Sequence, residues 1–272
     1  MSDVLIALGT PRTKRRFVKS VLENYADTIK QGDTVFVKPN VVSDEPYPTT
    51  TDPQVLDIVL SFLSGHDVTV GDGPAYDYRV RGEAGAAPRD HPLLKVCCAH
   101  GVEWINLNRR RHVKRKAAYG LEIALCDVPR SFDVTISLPV LKRHITCTMT
   151  GAIKNQFGLL DLGARTAMHR GLIDINRGIA AIAALEPCSL YIMDAVETLL
   201  VAEEVRHGGR KAHLGYMLAG TDPVAIDSAG FDLFKSLDRS ISDKAARDVA
   251  HLAYAADCRA GDMDYSLIEF PN

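Results

Sequence analysis

Thr34-Val-Phe-Val-Lys38-Pro39-Asn40, Thr51-Asp52-Pro53 opening an apolar run to Leu63, and Asp67-Val-Thr-Val70-Gly71-Asp72 decide the fold. The first stretch is β-branched and aromatic, and stops at a proline that cannot donate to a ladder. Thr or Asp suits a helix N-cap and Pro suits its first turn. The third stretch alternates and ends in glycine. Strand, helix, strand in this order is a βαβ unit, which favours a parallel sheet with a right-handed crossover.

Working outward, Val4–Leu8 reads as a strand, and the apolar spacing of Phe17, Val18, Val21, Leu22, Tyr25 and Ile29 predicts a helix within 13–30. Residues 75–92 read as a loop, 93–101 as a helix and 102–107 as a strand. Strands are also expected at 121–125, 134–138, 190–193 and 215–219. Helices are expected at 172–185, 222–235 and 244–256, and over 146–160 entered from a loop. Residues 201–213 read as a charged loop. The class is α/β: a mixed or mostly parallel sheet flanked by helices, in one domain over 1–272 with an insertion at about 75–130.

The 272 residues are 46% apolar and 24% charged, which suffices for a large core. A net charge of −2 gives no overall pull towards nucleic acid or membranes. No segment reaches the ~18 consecutive apolar residues of a membrane span, and Met1-Ser-Asp-Val4 lacks a signal-peptide pattern. A cytoplasmic location is expected. The six cysteines contain no Cys-x-x-Cys, so zinc-ribbon and ferredoxin motifs are absent. Buried small side chains are the simplest reading for them.

Ligands of open α/β sheets bind beyond the carboxyl ends of strands. Those ends here carry Lys38, Asn40, Asp72, Lys142, His144 and Asp194. The segment Leu138–Gly158 sets Lys142 and Lys154 among apolar and hydroxyl residues. A lysine in such company needs a partner or a ligand. With Asn155, Arg165 and His169 nearby in sequence, the pattern suits a cradle for a carboxylate or phosphate. His144 and His169 titrate near neutrality and suit acid–base work. Dinucleotide, P-loop and nucleophile-elbow fingerprints are absent.

Val-Phe-Val-Lys38-Pro39-Asn40-Val, Thr51-Asp-Pro53, Gly71-Asp72, Leu-Lys142 to Lys154-Asn155-x-Phe-Gly158, Met168-His169, Ile192-x-Asp194-Ala and Ala219-Gly-x-Asp222-Pro223-Val-Ala-x-Asp227 together resemble the family of unknown function numbered 362 (DUF 362). The resemblance spans about residues 30–235. It implies an intracellular α/β protein with Lys38, Asn40, Lys142, Lys154, Asn155, His169 and Asp194 as signature positions. Several relatives carry an added ferredoxin-like module, whose motif this chain does not hold. Many have a Gly-Pro-rich stretch where Glu197–Gly209 here is charged.

The leading expectation is an enzyme with isomerase- or lyase-type acid–base chemistry on a small anionic metabolite. Lys142, Lys154, His144 and His169 would be catalytic. Lys38, Asn40, Asp72, Asn155, Arg165 and Asp194 would bind the ligand. No cofactor is identified, though Asp72 and Asp194 could offer oxygens to a divalent metal. One alternative is a metal or iron–sulfur accessory protein using Cys97, Cys98, His100, Cys126 and Cys147. Another is nucleic-acid binding through the basic run 109–116, for which a solvated hairpin edge is the simpler reading. Homo-oligomerisation is left open.

Overall fold

The computed structural model describes residues 1–75, 79–80, 83–84 and 90–270. In chain order, β1 (Ser2–Leu8) and α1 (Pro11–Asn24) precede β2 (Thr34–Pro39), α2 (Pro53–Phe62) and β3 (Asp67–Asp72). A minimal hairpin of β4 (Arg79–Val80) and β5 (Glu83–Ala84) leads to α3 (Pro92–Ala99) and β6 (Glu103–Asn106). The hairpin β7 (His112–Lys116) and β8 (Glu122–Cys126) stands off the main sheet before β9 (Val134–Leu138). Next come a second small hairpin, β10 (Lys142–His144) and β11 (Thr148–Thr150), and the helices α4 (Ala152–Asn155), α5 (Leu162–His169) and α6 (Ile175–Leu185). The chain then runs through β12 (Leu190–Leu200), β13 (Arg210–Gly220), α7 (Pro223–Phe234), α8 (Ala250–Asp257) and β14 (Tyr265–Glu269).

Eight strands form one sheet in the order β14-β1-β13-β12-β9-β2-β3-β6. Every neighbour pair is parallel except the two that involve β13. The α/β architecture with a mostly parallel sheet is thus the observed one. The register Thr34↔Asp67 to Val37↔Val70 confirms the βαβ unit. From β2 the chain winds one way through β3 and β6, then returns to place β9 on the other side of β2. That reversal between β2 and β9 opens a crevice at the strand ends.

Strand alternation sends side chains to two cores. Val35, Val37, Val70, Ile136 and Leu138 pack with Phe17, Val21, Leu56 and Val59 of α1 and α2. Phe36, Tyr191, Met193 and Leu218 pack with Ile179, Ile182, Phe231 and Leu252 of α6, α7 and α8. The helix caps match the sequence signals. Asp52 accepts from Gln54 N at 2.9 Å, with Pro53 at the first helical position. Asp222 caps α7 in the same way.

Several boundaries differ from expectation. Residues 146–160 are not one helix but a strand, the single turn α4 and a 3-10 turn. Residues 210–213 belong to β13 rather than to a loop. α8 begins at Ala250, not at 244, after a 3-10 turn. α5, the β10–β11 hairpin and β14 had no counterpart in the sequence reading. Most of the expected loop 75–92 lies outside the described residues.

Candidate functional site

A pocket of about 520 Å³ lies beyond the carboxyl ends of β2, β3 and β9, at the reversal of strand order. Lys142, His144, Lys154, Asn155, Asn40, Asp72, Arg165 and His169 all line it. These eight come from five segments between residues 40 and 169, and all were candidates from sequence alone. Lys38 stands just behind the lining, and Asp194 lies elsewhere.

The floor is a hydrogen-bonded chain of amides and lysines. Asn40 follows Pro39 at the end of β2. It is held by Thr51 at the start of α2, whose Oγ1 accepts from Asn40 N at 2.8 Å and donates to Leu138 O at 2.6 Å. Asn40 Nδ2 donates to Asn155 Oδ1 at 3.1 Å, and Asn155 Nδ2 donates to Ser137 Oγ at 2.9 Å. Lys142 Nζ donates to Asn40 Oδ1 at 3.1 Å and to the Thr49 carbonyl. Both acceptors are neutral, and the Lys142 side chain is fully buried. Burial pushes its amine down to about 7, a fall that Lys154 adds to and the nearby Glu204 and Glu203 oppose.

Lys38 and Asp72 form a closed pair. Lys38 Nζ meets Asp72 Oδ1 at 2.6 Å with both side chains buried. Asp72 also accepts from Val41 N at 2.6 Å and Gly73 N at 2.8 Å. This carboxylate takes one ion pair and two backbone N–H groups, and it locks the ends of β2 and β3 together. Gly158 passes so close that a Cβ there would collide with Asp72 Oδ1 and Lys38 Nζ, so only glycine fits.

Arg165 is a strap. All five of its N–H groups are engaged: Nε with Leu160 O, Nη1 with Gly73 O and Pro74 O, and Nη2 with Asn108 Oδ1 and Gly158 O. It ties the pocket walls and adds positive charge, but has no N–H left for a ligand. Lys154, on the one-turn helix α4, contrasts with it. Its ammonium lies 5.0 Å from the Phe157 ring centre and, among the described residues, has no hydrogen bond or ion pair. Burial is the largest cause lowering its pKa, opposed by Cys147 and Glu203.

The two histidines have fixed roles. His144 Nδ1 accepts from Thr146 N and Cys147 N, each at 3.1 Å, so its proton sits on Nε2. Burial first, then the neighbouring cations, holds it neutral well below the usual histidine range. His144 is therefore an N–H donor rather than a base. His169 Nδ1 lies 2.9 Å from Arg165 O, which places the neutral ring's lone pair on Nε2.

Asp194 is outside this lining. It pairs with Lys14 at 2.7 Å, accepts from Tyr47 Oη at 2.7 Å and from Val196 N at 2.9 Å, and is buried. Lys14 also meets Asp52 at 2.7 Å. This cluster anchors the segment that supplies Asn40 and Thr49. Asp72 and Asp194 thus answer different lysines in separate clusters, and the two carboxylates do not converge as metal ligands. Among the described residues no group of three or more His, Cys, Asp or Glu is gathered for a metal, and the alternative set Cys97, Cys98, His100, Cys126 and Cys147 does not form one. All six thiols are unpaired.

The basic run 109–116 lies on the β7–β8 hairpin and its approach. Arg110, Arg111, Lys114 and Arg115 face Glu103, Asp127, Glu122 and Glu186, respectively. Its charge is largely answered within the protein. Sequence reasoning missed Glu203, Glu204 and His207, which reach the pocket from the β12–β13 turn. Glu204 forms paired contacts with Arg206 at 2.9 and 2.8 Å. Glu203 accepts from Ile145 N at 3.1 Å and lies 4.0 Å from His144 Nε2. Among charged residues a loop signature conceals such reach.

The fold and this pocket define an α/β protein with a polar, lysine-bearing crevice at the strand-order reversal. The chain belongs to the domain-of-unknown-function family DUF362, whose model matches residues 35–232. It is 27% identical over 253 residues to the thylakoid-associated protein sll1697 of Synechocystis sp., covering 88% of this chain and 75% of that protein. A crystal structure of a Thermotoga maritima protein aligns over 72% of this chain and 54% of its own length, with TM-score 0.44 and 13% identity. The chain thus spans about half of that protein. Among the described residues no helix is long and apolar enough to cross a membrane.

Proposed function

We propose that the protein binds a small carboxylated or phosphorylated metabolite in this pocket and carries out acid–base chemistry of isomerase or lyase type on it. One observation carries the reading. Lys142, Lys154 and Arg165 line a single crevice, and among the described residues every hydrogen bond that Lys142 and Arg165 make is to a neutral group, while Lys154 makes none. Lys38 answers Asp72 and Arg206 answers Glu204, which leaves Glu203 as the one lining carboxylate without a lysine or arginine partner among the described residues. An anion would complete the balance. Lys142 has one N–H beyond its two bonds, Lys154 has three, and His144 offers Nε2–H. An amine pushed down to about 7 can take and return a proton near neutral pH. The volume, about 520 Å³, suits a small metabolite.

A cytoplasmic setting is part of the proposal and is supported by the six unpaired thiols. Since the cyanobacterial relative is thylakoid-associated by name, cell fractionation should be scored for both soluble and membrane-pelleted protein. The central test is calorimetric titration with phosphate, pyruvate, malate and glycerol phosphate beside neutral analogues. The expected result is saturable binding of at least one anion, weakened in Lys142→Met and in Lys154→Met. Binding unchanged in both variants would overturn the anion pocket.

A further inference from the structure

The pocket holds two lysines with unlike surroundings. Lys142 is fixed by two hydrogen bonds, to Asn40 and the Thr49 carbonyl, and keeps one N–H for a ligand. Lys154 has no hydrogen bond or ion pair among the described residues, and only the Phe157 ring lies across it, at 5.0 Å. A nucleophilic amine needs a nitrogen not taken up by other partners and an approach path, and Lys154 lines the crevice with no hydrogen bond or ion pair among the described residues. Its backbone is held firmly. α4 is anchored by Asp227, which accepts from Ala152 N at 2.6 Å and Ile153 N at 3.0 Å. Gly151 admits Asp227 because a Cβ there would strike its Oδ1.

We propose that Lys154 forms a Schiff base with the carbonyl of a small 2-oxo acid whose carboxylate is held by Lys142 and the His144 Nε2–H. This rests on the anion-pocket reading and deepens it to a substrate class. In the step, the unprotonated Lys154 Nζ forms a bond to the carbonyl carbon. The C=O bond breaks, the amine's protons move to that oxygen, and it leaves as water. The resulting imine, once protonated, draws electrons from the adjacent C–H or C–C bond, which is what isomerase or lyase chemistry requires. Burial and the neighbouring Arg165 favour the neutral amine that begins the sequence. Arg165, with all five N–H groups engaged, contributes field and rigidity rather than contact.

The test is borohydride trapping of the full-length protein with pyruvate, glyoxylate or 2-oxoglutarate, followed by peptide mass mapping. The expected outcome is a reduced adduct on Lys154, absent from Lys154→Arg, which keeps the charge but cannot form the imine. Lys154→Arg should still show a pyruvate-dependent rise in melting temperature. If the wild type binds these acids yet traps none of them, or traps them on another lysine, the Schiff base falls and the anion pocket stands. If none of the three acids binds or is trapped, and phosphate and malate also fail to bind, both readings fall together.

Discussion

Lys142 has three donors and two acceptors, both uncharged, and its side chain is fully buried at the wall of the pocket. Its removal as Lys142→Met should weaken anion binding by about 10–100-fold, the range for a lost hydrogen bond to a charged group. Binding to the protonated amine should also decline as pH rises through about 7, because the amine then loses the charge that holds the anion. Titrations from pH 6 to 9, with Lys142→Met as control, check both statements. Lys38 behaves differently, since it answers a buried carboxylate rather than a ligand. Lys38→Met should cost about 3–5 kcal/mol by stranding Asp72, read as a lower urea midpoint. A variant that unfolds at the wild-type midpoint would remove Lys38 from the structural account.

The arm formed by the outer parts of β12 and β13 is the element that shapes the pocket's mouth. Its strands pair from Glu197↔His213 to Leu200↔Arg210, and the turn beyond them carries Glu203, Glu204 and His207. The arm is fastened by Glu45, which accepts from Val205 N and Arg206 N at 2.7 Å each. Glu203→Gln keeps an oxygen for Ile145 N but removes a negative charge facing the lysines. It should tighten anion binding by roughly three- to tenfold, the scale of one Coulombic pair in a partly solvated site. Calorimetry against wild type at low salt reads this directly, and weaker binding would argue that Glu203 contacts the ligand itself.

The same elements show what a sequence discloses. The βαβ unit was legible because its periods and its Thr-Asp-Pro cap all point one way. The strand-end residues were legible because parallel strands deliver their last residues to one edge. The β10–β11 hairpin was not, since three-residue strands carry no period to detect. Nor was the arm, whose charged residues have the composition of a solvated loop although three of them turn inward. Arg165 was legible as a pocket residue, but not as a strap, because its five partners are mostly backbone carbonyls without a sequence signature. Asp194, expected at a strand end, lies inside β12 because the strand runs on to Leu200, and it is taken up by Lys14 and Tyr47, partners from distant segments.

For the whole molecule, three buried groups with large shifts contribute to the pH dependence of stability in distinct windows. Lys142 is lowered to about 7 from an unfolded value near 10.5. Between those values the unfolded chain holds the extra proton, so stability rises with pH across that window. Asp227 is raised to about 7, chiefly by burial, so the folded chain holds the extra proton and stability falls as pH rises from about 4 to 7. His251 is lowered to about 3 by burial and then by Lys154, so stability is lost as pH drops from about 6.5. Asp227 and His251 thus oppose each other in acid, while above neutrality Lys142 acts in the same direction as Lys154, which burial also lowers. Urea midpoints at pH 7, 8 and 9 should climb in wild type and stay flatter in Lys142→Met. Equal slopes in the two proteins would contradict the assigned burial of this amine.

The Arg165 strap also furnishes a spectroscopic handle. A guanidinium bound at all five positions cannot rotate freely about its C–N bonds or trade protons rapidly with water. Its Nη protons should therefore give separate, slowly exchanging NMR signals, where solvated arginines show one averaged line. Because the five acceptors sit on the ends of different strands and turns, any breathing of the crevice must merge or bleach those signals, and they can time the opening of the site without a label or a known ligand.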